Sequence, residues 1–178
     1  MDRNGDIPHV LLELLPQKRG GASLFILNIY SPTKSGKRDT SDNVFLDAIR
    51  IARLRKNTLL VVGDFNAAHL AWGYKHETVK GRKLATTISR NQLTLLTEPD
   101  QPSMLGNSVN SDKSPDLTLV RAQKLCTWMN LPENLGSDHY IFEAEIQAQT
   151  GRGHGHTQRL INWDVFRQLR PPLEEETA

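Results

Sequence analysis

The sequence holds a single cysteine, Cys126, in 178 residues, so neither an intramolecular disulfide nor a thiolate cluster can be built from it. Stability has to come from a packed core, and a reducing compartment is the expected setting. Aromatic residues make up only 6% of the chain, and no apolar run approaches the ~20 residues that a membrane helix requires. The stretch at residues 59–62 is strand-sized at best. The opening residues, Met1-Asp2-Arg3-Asn4-Gly5-Asp6, offer no apolar signal core. The expectation is a nuclear or cytoplasmic protein, not secreted and with no membrane partner. Strong charge of one sign is lacking too: the net charge of +2 is too mild to announce a polyanionic partner by itself.

What is present is 38% hydrophobic and 24% charged residues, the make-up of one globular domain of ordinary size. Basic residues gather in Lys34, Lys37, Arg38, Arg50, Arg53, Arg55 and Lys56, and again in Lys75, Lys80, Arg82 and Lys83. Acids collect in Glu174-Glu175-Glu176. The separation suits a phosphate-facing body with an acidic tail, and it also suits ordinary solvated helix faces. At Gln147 the composition turns polar and glycine-rich, which reads as a linker. The expected organisation is a folded domain over residues 1–147, then residues 148–178 as linker and connector. The latter holds an apolar piece, Trp163-Asp164-Val165-Phe166, before Pro171-Pro172.

Residues 10–15 and 24–30 are β-compatible runs flanking a charged, glycine-containing turn, and predict neighbouring antiparallel strands. Ser41 suits an N-cap to a helix carrying Val44, Phe45, Ala48, Ile49, Ala52 and Leu54 on its apolar side, ended by Asn57. Residues 58–62 are apolar throughout, as in a central strand buried on both faces. A second helix is predicted over residues 80–90 with Asn91 as its C-cap, followed by strands at 93–97, 117–120, 125–129 and 140–146. The class is α/β with some antiparallel pairing.

The buried run ends in Gly63-Asp64-Phe65-Asn66-Ala67-Ala68-His69, just past the carboxyl end of a central strand, where ligands of α/β sheets bind. Extended alternation would send Asp64 and Asn66 to one side and Phe65 to the other. A carboxylate can bind a cation or take a proton. An amide beside it can orient water without adding a charge that repels phosphate. The same residues also spell a turn. Gly136-Ser137-Asp138-His139 places a second carboxylate and an imidazole before another strand, and Asp116, following Ser114-Pro115, is positioned to orient His139. An Asx turn at Asp116 is the simpler alternative. Cys126 reads as a small core residue rather than a nucleophile.

Taken in order, Tyr30, Asp64-Phe65-Asn66, Ser114-Pro115-Asp116 and Gly136-Ser137-Asp138-His139 resemble the endonuclease/exonuclease/phosphatase superfamily. They are most similar to the endonuclease domain of non-LTR retrotransposons. Trp72-Gly73, Lys80-Gly81-Arg82 and Leu105-Gly106-Asn107-Ser108 extend the resemblance, which runs from about Tyr30 to Ile146. Trp163-Asp164-Val165-Phe166 resembles the connector toward a reverse transcriptase, which makes that portion of a polyprotein an expected partner. The resemblance implies a DNase I-like two-sheet α/β sandwich with helices outside. It implies Mg²⁺-dependent phosphodiester hydrolysis, with Mn²⁺ as a substitute ion, nicking DNA to expose a priming 3′-hydroxyl. Carried over residue by residue, Asp64 aligns or activates water, Asn66 orients water or a phosphate oxygen, and Asp116 pairs with His139. His139 stabilises or protonates at the scissile phosphate, Tyr30 contacts phosphate, and Asp138 joins Asp64 at the metal.

Two departures accompany the resemblance. The family's earlier strands, with an Asn and a metal-binding Glu, have no counterpart ahead of Tyr30, and Glu13 does not take that Glu's place. The first strands of the sandwich are therefore expected to be missing, leaving a sheet edge and some apolar face open. Thr33 stands where the family commonly has Asn. A catalytically silent nucleic-acid- or partner-binding remnant is the alternative function, and a phosphodiesterase acting on RNA, a lipid headgroup or an inositol phosphate is a third.

Overall fold

In the computed structural model the described residues are 8–16, 21–33, 41–54, 57–106, 112–121, 126–131 and 133–146. The turn expected at 17–20, the Asn107-Ser108 pair and the expected linker and connector at 148–178 lie outside them. The chain order is β1 (His9–Leu14), β2 (Leu24–Tyr30), α1 (Ser41–Leu54), β3 (Thr58–Asp64), α2 (Val79–Arg90), β4 (Thr94–Leu95), β5 (Asp116–Arg121), β6 (Cys126–Asn130) and β7 (Phe142–Ile146). Five strands form one sheet in the order β1-β2-β3-β5-β4, and β6 pairs with β7 in a second. As expected, β1 and β2 are antiparallel neighbours, and β3 is interior, parallel to β2 and antiparallel to β5.

Register explains where the core sits. Pairing of Phe25 with Leu59, Leu27 with Val61 and Val61 with Leu119 puts these side chains on one face of the large sheet. Phe45, Ala48, Ile49 and Ala52 of α1 and Leu84 of α2 pack against that face in one cluster. Leu27, Leu59, Val61, Leu117 and Leu119 are wholly buried, and burying each contributes roughly 1.5–3 kcal/mol. The helices thus cover the outside of the sheet, and the opposite face carries Tyr30, Asp64, Asp116 and Thr118 in matching register. The small sheet meets that second face at Thr118, whose Oγ1 accepts the Trp128 indole N–H at 3.1 Å. Farther along it, on β1, Val10, Leu12 and Leu14 are 54%, 52% and 40% exposed.

Several local expectations change. Ser41 is the first residue of α1 rather than its cap, and α1 ends at Leu54, with the Asn57 amide N–H reaching back to the Ala52 carbonyl at 3.0 Å. The strand expected over 93–97 shrinks to Thr94–Leu95, because the Thr97 hydroxyl accepts the Thr118 N–H at 2.8 Å in place of a ladder carbonyl. β7 starts at Phe142, since the Tyr140 N–H is already bonded to the Ser103 carbonyl at 2.8 Å. Cys126 is half-buried, not core; it lines a cleft of about 520 Å³ beside Leu95, Glu98 and Trp128.

Candidate active site

Three strand ends meet at one margin of the large sheet. β2 ends at Tyr30, β3 ends at Asp64 and β5 begins at Asp116, and the register aligns Tyr30 with Asp64 and Asp64 with Asp116. The side chains therefore form a row on one face, with strands about 4.8 Å apart. Gly63 makes the approach of β2 to β3 possible: at its φ of 143° a Cβ would sit on the Ile29 carbonyl oxygen. Beyond Asp64, the buried Phe65 packs edge-on to Phe45 with ring centroids 6.4 Å apart, and its N–H donates to the Pro115 carbonyl at 2.9 Å. The loop leaving β3 is thereby tied to the start of β5.

Simple alternation does not place Asn66. Its backbone is left-handed, φ 46°, and its N–H turns back to donate to Asp64 Oδ1 at 3.2 Å. An Asx-type turn and a polar site coexist in the same residues, because the turn brings both the main-chain and side-chain amides of Asn66 to the Asp64 carboxylate.

His139 completes the row from a distant loop. Its Nδ1 lies 2.7 Å from Asp116 Oδ2, so Asp116 orients the ring as expected instead of forming only a local turn. A pairing of Met104 with His139 and an N–H bond from Leu105 to the Asp138 carbonyl, 2.7 Å, hold this loop against residues 103–105. Asp138 itself is exposed, with its Oδ1 4.0 Å from His139 Nε2. Tyr30 is 51% exposed, open to a ligand.

The electrostatics follow from this crowding. Burial raises Asp64 above the ordinary carboxylate value, the negative charge of Asp116 adds to the rise, and hydrogen bonds from Asn66 with the charge on His139 oppose it. Burial alone would lower His139. The hydrogen bond to Asp116 and the charges of Asp116, Asp138 and Asp64 outweigh it, so the imidazole is raised above its usual value. Asp64 and His139 thus flank Asp116, one paired with it across the sheet and the other hydrogen-bonded to it, and each feels the other's charge.

Sequence reasoning missed two neighbours. Ser103, wholly buried, donates its hydroxyl to the same Asp116 oxygen at 2.8 Å and accepts the Asp116 N–H at 3.1 Å. Nothing in one sequence distinguishes this serine from others in its loop. Tyr74 is pushed up to about 12 by burial and by the charges of Asp64 and Asp116, which puts its phenol in the field of the row. Its position after Trp72-Gly73 was the available signal. At Cys126 burial raises the thiol, which disfavours a thiolate and agrees with an inert role.

The donor set suits a hard divalent cation only as an open site. Asp64 and Asp138 offer carboxylate oxygens, but among the described residues no three His, Cys, Asp or Glu side chains converge as a metal cage. Mg²⁺ tolerates such a site because it keeps several waters. Among the described residues no helix is long and apolar enough to cross a membrane.

The sandwich with outer helices is a DNase I-like fold, and the match to a family model puts the chain in the endonuclease/exonuclease/phosphatase superfamily. Residues 24–143 match the family model described as endonuclease-reverse transcriptase, and the chain belongs to that family. The solved endonuclease domain of TRAS1, a telomere-specific non-LTR retrotransposon, is similar at 20% identity with a TM-score of 0.64, over 80% of this chain and 64% of that one. The chain therefore spans a little under two thirds of that domain. The Xenopus laevis APE2 catalytic domain is similar at 14% identity with a TM-score of 0.46, over 84% of this chain and 59% of that one. No curated protein sequence matches the chain.

Proposed function

We propose that this domain is a metal-dependent phosphodiester hydrolase that nicks DNA, in the service of retrotransposition. The observation that carries the reading is the 2.7 Å contact between His139 and Asp116 beside the half-buried Asp64. Asp116 fixes the ring so that Nδ1–H points at its carboxylate and Nε2 lies on the side of the exposed Asp138, 4.0 Å away, and it favours the charged ring. A charged imidazole stabilises negative charge developing on a phosphoryl group or delivers a proton to the leaving oxygen. Asp64, raised by burial, is a better proton acceptor than an ordinary carboxylate, and Asn66 restricts its rotation. Tyr30 supplies a hydroxyl to a phosphate oxygen at the rim. Mg²⁺ or Mn²⁺, held by Asp64 and Asp138, would neutralise charge on the phosphate when bound. The family model and the retrotransposon endonuclease fold support this reading.

The test is conversion of supercoiled plasmid to the nicked circle with Mg²⁺. The expected result is nicking by the wild-type domain and a loss of about 10²- to 10⁴-fold in His139→Ala. An intact plasmid at saturating Mg²⁺ and Mn²⁺ contradicts the proposal. A catalytically silent, DNA-binding form is the second reading, favoured by the lack of a three-residue metal cage among the described residues. Salt-sensitive DNA binding without nicking would select it.

A further inference from the structure

Lys80 stands where helix electrostatics disfavour it. It is the second residue of α2, whose first turn carries no acid, and a cation there opposes the positive end of the helix dipole. Its side chain reaches away from the helix to two consecutive main-chain carbonyls, Ser31 O at 3.2 Å and Pro32 O at 3.0 Å, across 49 and 48 residues of sequence. These are the first residues after Tyr30. The Ser31 N–H, in turn, donates to the Asp64 carbonyl at 2.8 Å. The start of α2 is itself fixed to the loop after Asn66: the Thr78 N–H donates to the Ala68 carbonyl at 2.9 Å, and Gly81 lies so close to that carbonyl that a Cβ would overlap it.

The exits of β2 and β3 and the start of α2 therefore form a closed ring, and the Lys80 ammonium is the link that joins α2 to the Tyr30 exit. Ser31 is 1% exposed, and both ammonium contacts are half-buried, so the grip is partly shielded from water. We infer that Lys80 is a positioning residue: its ammonium clamps the chain leaving β2 so that the Tyr30 hydroxyl is held over the Asp64–His139 space. The inference rests on the proposed hydrolytic function of that site. A Tyr that is half exposed has little packing of its own to fix it, so its aim depends on the main chain that carries it. Misplacement of a substrate-contacting group by ~1 Å can cost ~10²-fold in rate.

The test compares wild type, Lys80→Met, Lys80→Arg, Tyr30→Phe and the double variant in steady-state nicking of a short DNA duplex with Mg²⁺, together with thermal melts. Lys80→Met is expected to lower kcat about 10- to 100-fold with KM within about threefold of wild type, and Lys80→Arg, which keeps the cation, to recover most of the loss. In the Tyr30→Phe background, Lys80→Met is expected to add less than about twofold, because its effect passes through the tyrosine. Wild-type kcat in Lys80→Met, or a full additional loss in the double variant, overturns the inference. Amide hydrogen exchange of residues 28–33 supplies a readout independent of activity. Faster exchange in Lys80→Met, with melting temperature within a few degrees of wild type, is expected, and unchanged protection overturns the clamp. A wild-type protein that nicks nothing would refute the hydrolytic reading, and the exchange measurement would still decide the clamp.

Discussion

At Asp64 the fold holds a carboxylate in a place that does not favour its charge. Burial and the neighbouring Asp116 raise its proton affinity, so the ionised form costs stability at neutral pH and the cost is relieved as pH falls through the raised value. Asn at this position keeps an acceptor for the Asn66 N–H and removes the charge. Asp64→Asn is therefore expected to abolish nicking while its melting temperature at pH 7 equals or exceeds that of wild type. A clear drop in melting temperature would show that the carboxylate is stabilising. His139 has the opposite sign. Its folded value is raised above the ordinary 6.5, so its contribution is fully present below that value and lost as pH rises through the raised one. Wild type is expected to lose stability relative to His139→Gln across that window in thermal melts from pH 5 to 9. Parallel curves would contradict the pairing with Asp116.

At the scale of elements, Gly81 decides how α2 docks. In a helix, Gly to Ala ordinarily gains up to ~1 kcal/mol of propensity, but a Cβ here meets the Ala68 carbonyl, and overpacking costs about 1–3 kcal/mol. Gly81→Ala is expected to lower the midpoint of urea unfolding, and a raised midpoint would mean that α2 does not press on this loop. The elements themselves were largely legible. β3 announced itself by an apolar run that suits a central strand, and Asn91 marked the end of α2, whereas the Thr78 cap and the close approach at Gly81 emerge only in the structure. The strand-end placement of Asp64 and Asp116 was legible for the same reason, since one closes an apolar run and the other opens one. What was hidden depends on tertiary contact. The left-handed turn at Asn66, the hydroxyl of Ser103 on Asp116 and the placement of Tyr74 follow from which loops fold back, and no local periodicity encodes that. β4 fell short because a threonine side chain replaced the ladder.

Across the whole molecule, residues from distant stretches converge only because the large sheet interleaves parallel and antiparallel pairing, ending β2 and β3 where β5 begins. The face that bears the row is covered by the small sheet near Thr118 and open along β1. An open apolar edge of this kind is a site for association. The central claim is that Asp116 and His139, 23 residues apart in sequence, act as one unit on a phosphate that Asp64 also faces. The most direct measurement is a double-mutant cycle on the nicking rate with Asp116→Asn and His139→Gln. The account predicts strong non-additivity, with the double variant no slower than the worse single variant by more than about threefold. Losses that multiply, each residue removing its full share regardless of the other, would contradict it.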